Sequence, residues 1–232
     1  MKIRATQYLG GTFKRMGLRD YNLILIAYLL IAHSVVVSFS QSNSQDCLSP
    51  IGSHHFGLSK VYHEKINEIL LSQFSDFQVI RYQRNETFWA IELDTSDLED
   101  PHYHIRRIRP SKSIWHRVLN PLTEDSIEVE SYRKKMSEED AALLIELFNK
   151  SLNFISSSCG SKIIIDGTSH TFSNMVSIGQ VNLAYPLSAS TRIEKLVLIS
   201  QEIAAIICRS KRKKLELSKA IKRQIKKLIA DF

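Results

Sequence analysis

A chain of 232 residues, 44% apolar and 24% charged, has the length and apolar content for one domain of ordinary size with its own core. That balance excludes a disordered polyelectrolyte. The net charge of +7 would point to nucleic acid were it evenly spread, but residues 1–40 carry five Lys/Arg against one acid and residues 209–232 carry ten against two. Sixteen basic and twenty-one acidic residues remain for 41–208, so the body is mildly acidic and the basic character lies at the two ends.

Residues 23–39, LILIAYLLIAHSVVVSF, are free of formal charge, and five basic residues precede them. The asymmetry orients the N-terminus toward the cytoplasm. Ser38 and Ser40 stand at the −3 and −1 positions of a signal-peptidase site, so a secretory signal cleaved after Ser40 is the favoured expectation. The long basic lead suits an uncleaved anchor over 23–39 instead, while a start at Met16 gives a signal of ordinary length. Either way the chain is expected to be exported, to the periplasm or cell envelope. Residues 41–57 read as a linker. Three cysteines, Cys47, Cys159 and Cys208, allow one disulfide; Cys159–Cys208 is the expected pair, although spacing alone does not fix it. The residues before Cys47 lack the pattern read by lipid-attachment machinery.

Leu58, Val61, Tyr62, Ile66, Ile69, Leu70 and Phe74 recur at helical spacing and predict an amphipathic helix over 58–74. Residues 77–93 hold two β-rich runs around Gln83-Arg84-Asn85-Glu86 and predict a hairpin. Strands are expected at Tyr103–Ile108, Ile114–Leu119 and Ile127–Tyr132, separated by Asp100-Pro101, Arg109-Pro110 and Asn120-Pro121. Ser137-Glu138-Glu139-Asp140 resembles a capping box and opens a second helix with Leu144, Ile145, Phe148, Leu152 and Ile155 on its buried stripe. A second hairpin is expected to turn at Asp166-Gly167. A third helix follows over Ser190–Cys208. The order lacks βαβ alternation, which predicts an α+β fold: an antiparallel sheet packed against about three amphipathic helices, preceded by the signal or anchor helix. The domain is expected to span 58–208, with a basic helical tail over 209–232.

The helix over 138–155, the stretch Asp166-Gly167-Thr168-Ser169-His170-Thr171-Phe172, then Gly179, Pro186 and a closing helix are similar to a pattern in exported bacterial proteins of unknown function. The core motif there runs D-G-T-x-Y-x-F, with His170 standing here at the usual Tyr. The resemblance covers about seventy residues and implies architecture and export, with no chemistry attached.

Candidates for chemistry are few. Gly167-Thr168-Ser169-His170-Thr171 lacks the second Gly of a nucleophile elbow and leads into a strand, so a sheet corner is expected there rather than a catalytic one. His102 and His104 would share one strand face, with Glu92, Asp94 or His116 as a third metal ligand, yet Arg106, Arg107 and Arg109 crowd them. Asp94, Asp97, Glu99 and Asp100 lack calcium-loop spacing. No catalytic, cofactor-binding or metal residue is assigned, and no cofactor is expected.

In the tail, Leu217, Ile221, Ile225, Leu228 and Ile229 form a stripe flanked by Lys213, Lys214, Lys222, Arg223, Lys226 and Lys227. Such a helix can pack on its own domain, lie on anionic lipid, or meet an acidic envelope partner. Nucleic acid is the weakest partner, since no aromatic residue interleaves the cations before Phe232. The functional expectation is an exported or envelope-associated bacterial protein, a non-enzymatic binding or structural module. Its alternatives are an exported hydrolase or metal-dependent enzyme using the His102/His104 face, and an inhibitor whose acidic body binds a basic partner.

Overall fold

The computed structural model describes residues 46–51, 57–74, 77–96, 102–120, 126–157, 159 and 167–232. The segment 23–39, the cleavage point at 40, the acids at 97–100 and the run 163–166 lie outside the described residues. Among those described, no helix is long and apolar enough to cross a membrane.

The fold is α+β. Eight strands form one mixed sheet: β1 (Ser49–Pro50), β2 (Gln78–Arg84), β3 (Thr87–Asp94), β4 (His102–Pro110), β5 (Val129–Met136), β6 (Thr168–Asn174), β7 (Ile178–Leu183) and β8 (Lys214–Leu215). Their order is β1-β7-β6-β2-β3-β4-β5-β8. Every pair is antiparallel except β5 with β8, a departure from the purely antiparallel sheet expected. Five helices are described rather than about three: α1 (Leu58–Ile69, followed by a 3-10 turn at Leu71–Gln73), α2 (Ile114–Leu119), α3 (Glu138–Leu152), α4 (Arg192–Arg209) and α5 (Lys219–Asp231).

Strand alternation sends the sheet's side chains into two layers. One face carries Tyr82, Trp89, Ile91, Ile105 and Phe172 into a large core closed by α3, α4 and α5. Trp89 is fully buried, its Nε1 donating to the Ser200 carbonyl at 3.0 Å and so fastening the sheet to α4. Phe148 packs edge-on against both Trp89 and Phe172. The other face carries Phe88, Ala90 and Ile108 against Ile66, Leu70, Phe74 and Ile114, a smaller core under α1 and α2.

One strand expectation is corrected. Ile114–Leu119 is helix α2, not a strand. Its N-cap Ser113 accepts the His116 amide, and the Glu86 carboxylate takes the amides of Ile114 at 3.0 Å and Trp115 at 2.8 Å. Those orphan N–H groups are satisfied by a residue 28 positions upstream, which outweighs the β-propensity of Ile and Trp. The sheet also holds a hairpin of β6 and β7 that turns at Met175-Val176, where Asn174 Oδ1 accepts the amides of Val176 at 2.9 Å and Ser177 at 2.6 Å. The turn expected at Asp166-Gly167 involves residues outside the described ones.

The expected Cys159–Cys208 disulfide is not formed: Cys47 pairs with Cys159, their Cα atoms 6.0 Å apart. Residues 48 and 155 bridge beside β1, and the Ser156 amide donates to the Leu48 carbonyl, which brings the two thiols to one edge. Gly179 permits this approach, since a Cβ there would meet Ile155 and Leu48 at 3.0 Å. Cys208 is free on α4, where Arg107 Nη1 donates to its Sγ.

The C-terminal residues complete the large core. Leu215, Leu217, Ile221, Ile225 and Leu228 are all buried. The link from α4 is pinned by Lys134 Nζ, which donates to the carbonyls of Ser210 at 2.6 Å and Arg212 at 2.9 Å. Asp140, at the start of α3, accepts the Leu217 amide at 2.9 Å and pairs with Lys222 at 2.6 Å. Arg192 gathers both ends of the described domain. It binds Asp46 through its amide and its Nε, and it lies over the rings of Phe154 at 4.8 Å and Phe232 at 5.4 Å.

Candidate functional site

Ser169 and His170 of the Asp-Gly-Thr-Ser-His stretch are neighbours on β6, so the pleat sends them to opposite faces and they cannot act as a dyad. His170 is fully buried in the large core. Its Nδ1 lies 2.8 Å from the Tyr82 hydroxyl and its Nε2 3.2 Å from that of Tyr185, which also accepts from Gln201 Nε2. A neutral imidazole satisfies both tyrosines, donating through one nitrogen and accepting at the other. Burial, aided by the nearby Arg84 charge, pushes the His170 pKa down to about 3. This is a structural histidine bridging β2 to the Tyr185 loop.

His102 and His104 do share a face, and the register sets Asp94 opposite His102 and Glu92 opposite His104. The other occupants are arginines. Glu92 is buried, with Arg106 Nε at 3.2 Å and Arg133 Nε at 3.7 Å from its Oε2. Arg133 Nη2 reaches Asp94 at 3.0 Å and His104 Nδ1 at 3.3 Å. Burial first, and then the Arg133 charge, lower the His104 pKa, so its Nδ1 accepts from Arg133 while Nε2 keeps the proton. The Ser96 hydroxyl and amide, then Arg133, hold Asp94 at about 2. Carboxylates here meet guanidinium groups, and His116 sits on α2 instead. Among the described residues, no three His, Cys, Asp or Glu side chains converge to hold a metal ion.

A second polar region lies on the same face at the other side of α1. Register places Gln83, Thr171 and Gln180 side by side across β2, β6 and β7, with Arg81, Ser173 and Ile178 as the next row. These rows floor two clefts of about 350 and 340 Å³ that meet at Arg81 and Ile178. Tyr62, Ile66 and Asn67 of α1 wall the larger one. Arg81 is half-buried, burial lowers its pKa, and its partner is Gln78 Oε1 at 3.5 Å. No carboxylate among the described residues pairs with it. Single-residue reading missed this region because its members are ordinary polar residues spread over a hundred positions. The available signal was alternation in β2 and β6: Arg81 and Gln83 interleave with apolar Ile80 and Tyr82, and Ser169, Thr171 and Ser173 with core-facing His170 and Phe172.

The six basic residues singled out in the tail lie on and beside α5. Lys213, Lys214, Arg223, Lys226 and Lys227 are exposed. Lys214 pairs with Glu216, and Lys222 with Asp140 and Glu139. Arg223, Lys226 and Lys227 pair with no acid among the described residues. The apolar stripe of α5 faces the core, so it is not available for insertion into lipid. Comparison with protein-family models, curated proteins and solved structures returned no match.

Proposed function

We propose that the chain is an exported, envelope-associated bacterial protein acting as a binding module rather than an enzyme. It meets an anionic membrane surface or an acidic envelope partner through Lys213, Lys214, Lys222, Arg223, Lys226 and Lys227. The observation that carries this reading is the division of α5: its apolar stripe is occupied by the domain, while Arg223, Lys226 and Lys227 are exposed and pair with no acid among the described residues. Contact is then through charge alone, each cation near an anionic bilayer being worth about 1 kcal/mol.

Export is supported by the pattern of residues 1–40 and by the Cys47–Cys159 disulfide, a bond that persists in oxidising compartments. A binding role is favoured over the hydrolase or metal-enzyme alternative because Arg106 and Arg133 engage the acids facing His102 and His104. The test is sedimentation of the full chain with phosphatidylglycerol vesicles, with phosphatidylcholine vesicles as control. Salt-sensitive binding to the anionic vesicles, lost in an R223E/K226E/K227E variant, is the expected result. Binding that survives the triple reversal would overturn the assignment to α5. Mass spectrometry of the mature N-terminus tests cleavage after Ser40 against an anchor over 23–39.

A further inference from the structure

The groove on the opposite side of the sheet from α5 has a chemistry of its own. Its floor is a three-strand row, Gln83, Thr171 and Gln180, spanning about 10 Å at ordinary strand spacing. The side chains of Asn67, Ser169, Thr171 and Gln180 make no hydrogen bond with any described residue, although Thr171 is only 9% exposed. Amide and hydroxyl groups each donate and accept, as the hydroxyls of a sugar do. Among the described lining residues of both clefts, Arg81 is the one fixed charge. A guanidinium fork fits a planar carboxylate through two parallel bonds. One cation among many neutral polar groups suits a ligand with sparse negative charge. A nucleic-acid strand, with a phosphate at every unit, calls for a row of cations. An extended peptide calls for a free strand edge or a set of apolar side-chain pockets, and this floor is the interior of the sheet, with β2, β6 and β7 already paired.

We propose that the groove floored by β2, β6 and β7 binds an acidic oligosaccharide, with Arg81 receiving a sugar carboxylate and Gln83, Thr171 and Gln180 meeting the ring hydroxyls. Tyr62 on α1, its ring set edge-to-face with Trp115, stands in the wall of the larger cleft. The two clefts meet at Arg81, so the carboxylate sits at their junction and the chain extends into both. The proposal rests on the exported binding-module reading only for the choice of a glycan as the ligand at hand; the geometry of the groove is separate from α5.

Calorimetric titration of the full chain with a galacturonate trimer, and with a neutral galactose trimer as control, tests it. Binding of the acidic trimer, with the neutral one about tenfold weaker, is expected from the loss of a charge-assisted contact. Arg81→Met is expected to weaken the acidic trimer about tenfold or more while leaving the unfolding temperature unchanged or higher, since a half-buried cation without a carboxylate partner is lost. Arg81→Lys, which keeps the charge and loses the fork, should fall between. The R223E/K226E/K227E variant should bind the trimer as the parent does, so failure at α5 and failure in the groove are told apart. No binding of the acidic trimer, equal binding of the neutral one, undiminished binding by Arg81→Met, or preference for a polyglutamate peptide or oligonucleotide would each overturn the proposal.

Discussion

The two faces of the sheet are built on opposite terms. Under α3, α4 and α5, polar groups are enclosed and several are matched within the core: His170 lies between two tyrosines, and Asp140 joins the Leu217 amide and Lys222, while the Ser200 hydroxyl is buried without a hydrogen-bond partner among the described residues. Under α1 and α2, apolar contact is confined to a central patch flanked by polar side chains, with guanidinium–carboxylate clusters on one side and unengaged amides and hydroxyls on the other. The difference teaches that the first face specifies the fold, while the second retains polar groups that folding does not consume.

Substitutions should separate the faces by size of effect. Trp89→Ala removes the largest buried side chain and its bond to Ser200, and is expected to cost about 4 kcal/mol in chemical denaturation. Asp140→Ala strips the Leu217 amide of its acceptor and should cost about 2 kcal/mol, with amide exchange quickening over 214–231 before the sheet. His170 supplies a pH signature. Its folded pKa is depressed below the unfolded value of about 6.5, so the unfolded chain takes up the proton first and stability falls as pH drops. The loss is about 1.4 kcal/mol per pH unit below 6.5, continuing toward pH 3, and absent above 6.5. Denaturation curves of the parent and His170→Asn, compared at neutral and acid pH, should diverge by that slope; parallel profiles would mean that the imidazole is not held neutral. On the open face, Thr171→Val should change stability by less than about 0.5 kcal/mol, because its hydroxyl has no partner in the described structure to lose. A large cost there would erase the distinction between the faces.

Much of both cores was legible because the signals are local. The periodic stripes of residues 58–74, 138–155 and 190–208, and the alternation of 77–93, each declare themselves within one element. Helix α2 was not legible because Glu86, on another hairpin turn, completes its cap. The Cys47–Cys159 pair depends on β1 docking beside β7, a contact between residues more than a hundred positions apart. The His102/His104 spacing announced a shared face correctly, and Arg106 was visible beside them, yet the second arginine on that face, Arg133, comes from β5. The groove is the extreme case: its rows exist only once strand order sets β7, β6 and β2 side by side.

The Arg192 clasp has a practical consequence for the backbone's connectivity. Asp46 and Phe232 both contact this one side chain, so the two ends of the folded body lie within a short tether of each other. The Met175-Val176 turn is exposed, at 78 and 91%, and offers a place to reopen the chain. A circular permutant that joins residue 232 to residue 46 and begins at Val176 should therefore keep the native core. In such a molecule β6 would be the last strand and β7 the first, showing that this hairpin's covalent turn is dispensable once the sheet has assembled.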